Sequence, residues 1–200
     1  MPPAENVHWL FGAGILAFGL CLLGRAISGE QRWNRSAWRR YLLPSVFTAI
    51  GVAMWPVTVF FTNSTIHLLA HGAWAQFAML GGVAQLGLVS GRLRSRWWNL
   101  GVPLALLVSG AAFVIHEQNP WLFMRSAFLH HLVGWTLIGG SIFPLVLAFR
   151  PRSRVASLGL AAIAIAVSVM LFSDRDLAPI FGHLSPLAGD GSNRIGAVEP

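Results

Sequence analysis

The chain has 200 residues, 55% hydrophobic and only 10% charged, with a mean hydropathy of +0.62, which excludes the balance of an ordinary soluble globular domain. Its formal charge of +7 comes from arginine without any lysine, and the arginines sit in short loops between apolar runs, which argues against a nucleic-acid partner. Cys21, the only cysteine, lies within the first apolar run, so there is no disulfide framework, CxxC redox pair or thiolate zinc cluster. A metal site would have to rest on histidine, methionine and carboxylate.

In chain order, the N-terminal stretch MPPAENVHWLF has no basic residue ahead of its apolar run and no small-x-small site after it. It is therefore expected to be a retained first helix and not a cleaved leader. Six apolar segments follow at about 7–23, 41–61, 66–90, 97–115, 127–149 and 155–172. Each approaches the ~20 helical residues that cross a hydrocarbon core of about 30 Å. The expected fold is an all-α, polytopic membrane bundle of six transmembrane helices over residues 1–172, with a flexible extracytoplasmic tail at 173–200 that turns polar and carries Gly, Pro, Asp and Asn. Pro44, Pro56, Pro103 and Pro144 fall within the spans, where they can bend a helix. Gly81, Gly82, Gly87, Gly91, Gly139 and Gly140 are candidates for close helix packing. Asn63-Ser64-Thr65 matches a glycosylation acceptor, but so close to two helix ends it reads as a turn and helix cap.

Arginine placement orients the spans. Arg25, Arg32, Arg35, Arg39 and Arg40 follow the first segment, Arg92, Arg94 and Arg96 the third, and Arg150, Arg152 and Arg154 the fifth, eleven of fourteen on one side. The positive-inside rule puts these loops in the cytoplasm and both termini outside. Arg125, Arg175 and Arg194 fall on the opposite side together with six of the seven acids. On that topology His8, His67, His71, His116, His130, His131 and His183 all belong to the outward half.

The stretch from Ile66 to Gly91 opens with His67 and His71, an i, i+4 pair on one helix face. At ~1.5 Å rise per residue, His71 and His131 reach similar depths below the outer boundary. Helices joined by short loops tend to be neighbours, so His71, His116 and His131 can converge. Neutral imidazole ligates Cu, Zn, Fe and Ni, and Glu117 can ligate or orient a ring. Met54 and Met79 lie deeper, and thioethers favour Cu(I), although methionine is also a common core filler. His130 and His131 point about 100° apart on a helix, so one mononuclear site does not take both. Each histidine taken singly also reads as an interface residue or an interhelical hydrogen-bond partner. That plainer reading is the expectation for His8, near a terminus, and for His183, in the tail.

The segments WRRYLLPSVFTAIGVAMWPVTVFF, IHLLAH, IHEQNPWLFMRS and FLHHLVGWTLIGGSIFPL resemble the bacterial copper-handling cytochrome c oxidase assembly factor family. The resemblance implies copper ligation at His67, His71, His116 and His131 and, as partner, a respiratory oxidase subunit or a metal donor protein in the bacterial inner membrane. This sequence departs from the family pattern at Leu68, where a methionine is usual, and at His130-His131, where a second H-x3-H is usual. The stretch AHGAWAQFAMLGGVAQL and the clustered histidines and acids of the later spans also resemble the transmembrane protein 45 family, over about residues 66–149. The site residues expected from these readings are His67, His71, His116, Glu117, His130 and His131. Copper is the expected metal, with a b-type haem held by facing histidines such as His71 and His131 as the alternative. A metal-dependent hydrolase or oxidase with Glu117 as base lacks any nucleophile motif to support it, so a binding role is expected in place of catalysis.

The arginine distribution is testable directly. Reporter fusions after Arg39, Arg94 and Arg152 should all report the cytoplasmic side, and a clear outer-side signal at any one of them would overturn both the orientation and the one-sidedness of the histidines.

Overall fold

In a computed structural model, residues 4–61, 65–115 and 124–173 are described. His116, Glu117, Asn63, Ser64, His183 and the tail from Asp174 onward lie outside the described residues, as do the side chains of His67 and Arg125. Helix is the regular structure throughout the described residues: α1 (Ala4–Ser28), α2 (Glu30–Trp33), α3 (Ala37–Phe61), α4 (Thr65–Val89), a 3-10 turn (Arg96–Leu100), α5 (Gly101–Ile115), α6 (Met124–Gly140), α7 (Ile142–Phe149) and α8 (Arg154–Phe172). Helices pair their own backbone groups, which is what an apolar solvent requires.

Five stretches are long and apolar enough to cross a membrane: Val7–Ser28, His71–Val89, Arg96–Ile115, Ala127–Phe149 and Arg154–Phe172. In four of these, only 28% of the most apolar window is buried against the rest of the protein, and in the last 33%. Much of the remainder is half-buried, and large apolar side chains face outward, with Leu10 and Leu69 each 67% exposed and Val155 78% exposed. So large an outward apolar surface suits lipid and marks an integral, multi-pass membrane protein. The expected second span is the 25-residue α3, whose first turns carry Arg39 and Arg40.

The long helices close into a ring. α3 packs most extensively on α4 and α1 on α8; α4 packs on α5 and α5 on α6, while lighter contacts of α6 with α8 and α1 with α3 complete the circuit. The first and last helices are thus neighbours, joined by a buried hydrogen bond from Ser168 Oγ to the Gly12 carbonyl at 2.7 Å. Other hydroxyls turn back on their own helices, as Ser109 Oγ does to the Ala105 carbonyl at 2.6 Å and Thr136 Oγ1 to the Leu132 carbonyl at 2.7 Å, so they need no partner from lipid.

Two elements differ from the sequence expectation. The span beginning near Trp97 opens with the 3-10 turn, and Pro103 sits in the first turn of α5, where its missing N–H costs little. The span over 127–149 is interrupted at Ser141 between α6 and α7, because Pro144 cannot donate to the Gly140 carbonyl. Ser141 bridges the break: its N–H reaches the Leu137 carbonyl at 2.9 Å and its Oγ donates to the Ile138 carbonyl at 2.6 Å.

Glycines set the helix spacing, though not all of the expected ones. A Cβ on Gly82 would lie 2.6 Å from the Thr48 nitrogen, and one on Gly51 would strike the Met79 backbone, so α3 and α4 touch backbone to backbone. Gly110 on α5 and Gly134 on α6 are reciprocal, a Cβ on either falling 2.7 or 2.8 Å from the carbonyl oxygen of the other. Gly91, with φ +76°, instead ends α4, where the Leu93 N–H returns to the Gly87 carbonyl at 2.9 Å. Gly139 meets nothing within 4 Å.

That contrast gives opposite signs for one chemical change. Gly134→Ala should destabilise by about 1–3 kcal/mol through overpacking, whereas Gly139→Ala should be neutral or stabilising by up to ~1 kcal/mol through helix propensity. Unfolding of the two variants in detergent checks this, and an equal loss from both would refute the close approach.

Candidate functional site

One end of the bundle is built from the first turns of α1, α4 and α6 and the last turn of α5. His8 and Phe11, three residues apart on α1, share a face. Phe11 is buried, packed with Met54 of α3 and Ala75 of α4. His71 and Trp74 are related in the same way on α4, with His71 half-buried. From α6, His130 points inward and is only 6% exposed.

These rings form a closed circuit. The His8 and His130 imidazoles meet edge to face with centroids 6.0 Å apart at 72°. Phe113 of α5 stacks on His130 at 5.5 Å and 25°. Trp74 lies 5.8 Å from Phe113, and Phe11 lies 5.8 Å from Trp74, while one turn of α1 returns from Phe11 to His8. Offset and edge-to-face contacts of this kind are each worth about 0.5–1.5 kcal/mol beyond the area buried. Four helices are tied together by one set of rings, two of which are imidazoles. Nδ1 of His8 is itself buried.

The neighbouring histidine is oriented differently. Nδ1 of His131 lies 2.8 Å from the Ala127 carbonyl of its own helix. Since a carbonyl only accepts, this bond puts the proton on Nδ1 and leaves the lone pair on Nε2, the tautomer that ligating histidines commonly have fixed by a backbone carbonyl. Of the expected site residues, the structure therefore places His130 in the interior, His131 half-buried with its tautomer set, and His71 one turn from Trp74. Only the backbone of His67 is described, in α4, while His116 and Glu117 lie outside the described residues. His8, expected to be peripheral, stands against His130. Its depth was a usable signal: α1 starts on the same side as the α4 and α6 histidines.

A metal held about 2.0–2.1 Å from one nitrogen of each ring would put the ring centroids up to about 6.4 Å apart with the two nitrogens facing each other, an orientation that the edge-to-face contact of His8 with His130 does not have. Among the described residues no group of three or more His, Cys, Asp or Glu side chains comes together to hold a metal ion. What the described side chains bring together is thus two imidazoles from different helices, walled by aromatic rings. No family model matches the chain, and no curated protein or solved structure matches it either.

The placement of His8 against His130 can be checked by chemistry on the chain. With Cys21 replaced by alanine, the His8→Cys/His130→Cys pair should be bridged efficiently by a short thiol-reactive cross-linker and the His8→Cys/His131→Cys pair far less. Equal yields would mean that α6 is rotated away from the position described.

Proposed function

We propose that the chain is a six-span protein of a bacterial inner membrane with both termini outside the cytoplasm, and that the imidazoles at its outer end bind copper for metal handling or respiratory oxidase assembly. The observation that carries this reading is the His8–His130 pair, two imidazoles from different helices with centroids 6.0 Å apart inside an aromatic wall; holding an ion between them requires a ring rotation that turns one nitrogen of each toward it. Imidazole nitrogens suit copper, and the thioether of Met54, buried beside Phe11, adds a soft atom close to the rings. The α3 helix supplies the sixth span, its Arg39 and Arg40 lying at the cytoplasmic headgroups. Nothing in the site suggests bond-making chemistry, so its role is to bind and pass on the ion, with an oxidase subunit or a metal donor protein as partner, in keeping with the resemblance to the copper-handling assembly factors. His67, His71, His116 and Glu117 extend the ligand set in this proposal; His131, about 100° from His130 on the same helix, does not share the His8–His130 ion. Two histidines on facing helices are also the ligand pair of a b-type haem, at the same metal–nitrogen distance, so optical absorption belongs in the test.

The experiment is Cu(I) titration of the purified protein beside single variants, with an absorption spectrum of each. Loss of a supporting partner alone typically costs 10 to 100-fold in affinity, so His8→Ala and His130→Ala should each exceed that range, while His183→Ala should leave affinity unchanged. A strong Soret band in the parent would decide for haem. A colourless parent with equal copper affinity across the His8 and His130 variants would overturn the metal reading.

A further inference from the structure

At the opposite end, on the arginine-rich side, the bundle holds a half-open cavity of about 320 Å³, within the range of small-ligand sites. Its inner wall is apolar, with Phe18 and Leu22 of α1, Phe47 of α3, Leu147 of α7 and Leu160 of α8. Its polar lining includes Arg25, Glu30 and Arg40, with Gln85 and Asn99 joined by a long hydrogen bond of 3.4 Å. Arg25 and Glu30 form an ion pair at 2.7 Å with both side chains more than a third exposed. Among the described residues no ion pair engages Arg40. Two guanidiniums thus face the cavity against one carboxylate.

We infer that this cavity binds one anionic phospholipid drawn from the adjacent leaflet, its phosphate between Arg25 and Arg40 and part of an acyl chain against Phe18, Leu22 and Leu160. Three observations support that occupant over a soluble anion. Arg25 lies in the last turn of α1, directly after its apolar run, which is the level of lipid headgroups. The wall beyond the charges is hydrocarbon, which free phosphate cannot use and an acyl chain can. The helices that line it also expose large apolar side chains, such as Leu20 of α1, Leu145 of α7 and Leu158 of α8, to the surrounding lipid. Basic pockets between transmembrane helices on the cytoplasmic side suit anionic headgroups, each Arg contributing about fivefold in affinity near such a surface.

The test uses the full chain in an uncharged maltoside detergent. Native mass spectrometry should show one phosphatidylglycerol retained per protein and phosphatidylcholine held at least fivefold more weakly, with inorganic phosphate giving no adduct. Arg40→Gln should weaken phosphatidylglycerol about fivefold. Glu30→Gln should tighten it, because removing the carboxylate leaves both guanidiniums for the phosphate, whereas a merely structural ion pair would lose stability with no gain in lipid. Ala148→Phe, which places a ring in the cavity, should abolish the adduct while the unfolding temperature shows that the bundle still forms. Equal retention of the two lipids, equal retention by Arg40→Gln and Ala148→Phe, or binding of phosphate alone would each overturn the proposal.

Discussion

Lipid chains are as apolar as leucine, so burying leucine between helices gains almost nothing over leaving it in the bilayer, and association must come from close packing and hydrogen bonds. The bundle depends on this constraint. Its helices meet where side chains are absent: Gly51 and Gly82 bring α3 onto α4, and Gly110 and Gly134 bring α5 onto α6. Along α1 and α8, Gly19 approaches Ala164 and Ile165, and Ser168 adds a hydrogen bond to Gly12. Large side chains are left to cover the outside, where Trp135 and Phe128 are more than half exposed.

Close contact along the helix flanks leaves the ends to accommodate bulk. The histidine end is filled by rings, the arginine end opens into a cavity, and clustered aliphatic residues such as Leu137, Val133 and Val167 occupy the bundle between. The two ends differ in charge as well as shape. Imidazole can be neutral in an apolar setting, whereas guanidinium cannot, so histidine goes to the enclosed end and arginine to the open, headgroup-level end.

Much of this was legible in the sequence because membrane spans announce themselves. The apolar runs and arginine loops place helices with little regard to tertiary structure, and even the bend at Pro144 follows from one missing N–H. Rotation about the helix axis is a different matter. Whether His130 or His131 faces the interior is a choice of about 100°, and nothing local makes it; Phe113, one position in an unbroken apolar run, makes it by stacking on His130. The same is true of the glycines. Gly139 and Gly140 are adjacent in sequence, yet only Gly140 touches another helix, at Ile163. His8 depended on a long-range pairing, since it reaches His130 only because α1 closes the ring beside α8.

Helix direction leaves the charge of the histidine end balanced. α1, α4 and α6 begin there with about +0.5 of an elementary charge each, while α3, α5 and α8 end there with about −0.5 each. Each such charge fades within the first or last turn; His8 lies just beyond that limit on α1, and His71 and His130 sit deeper on α4 and α6. The surroundings of the imidazoles are therefore set by the rings packed on them, Phe113 stacked on His130 and Trp74 against Phe113, and not by the helix ends.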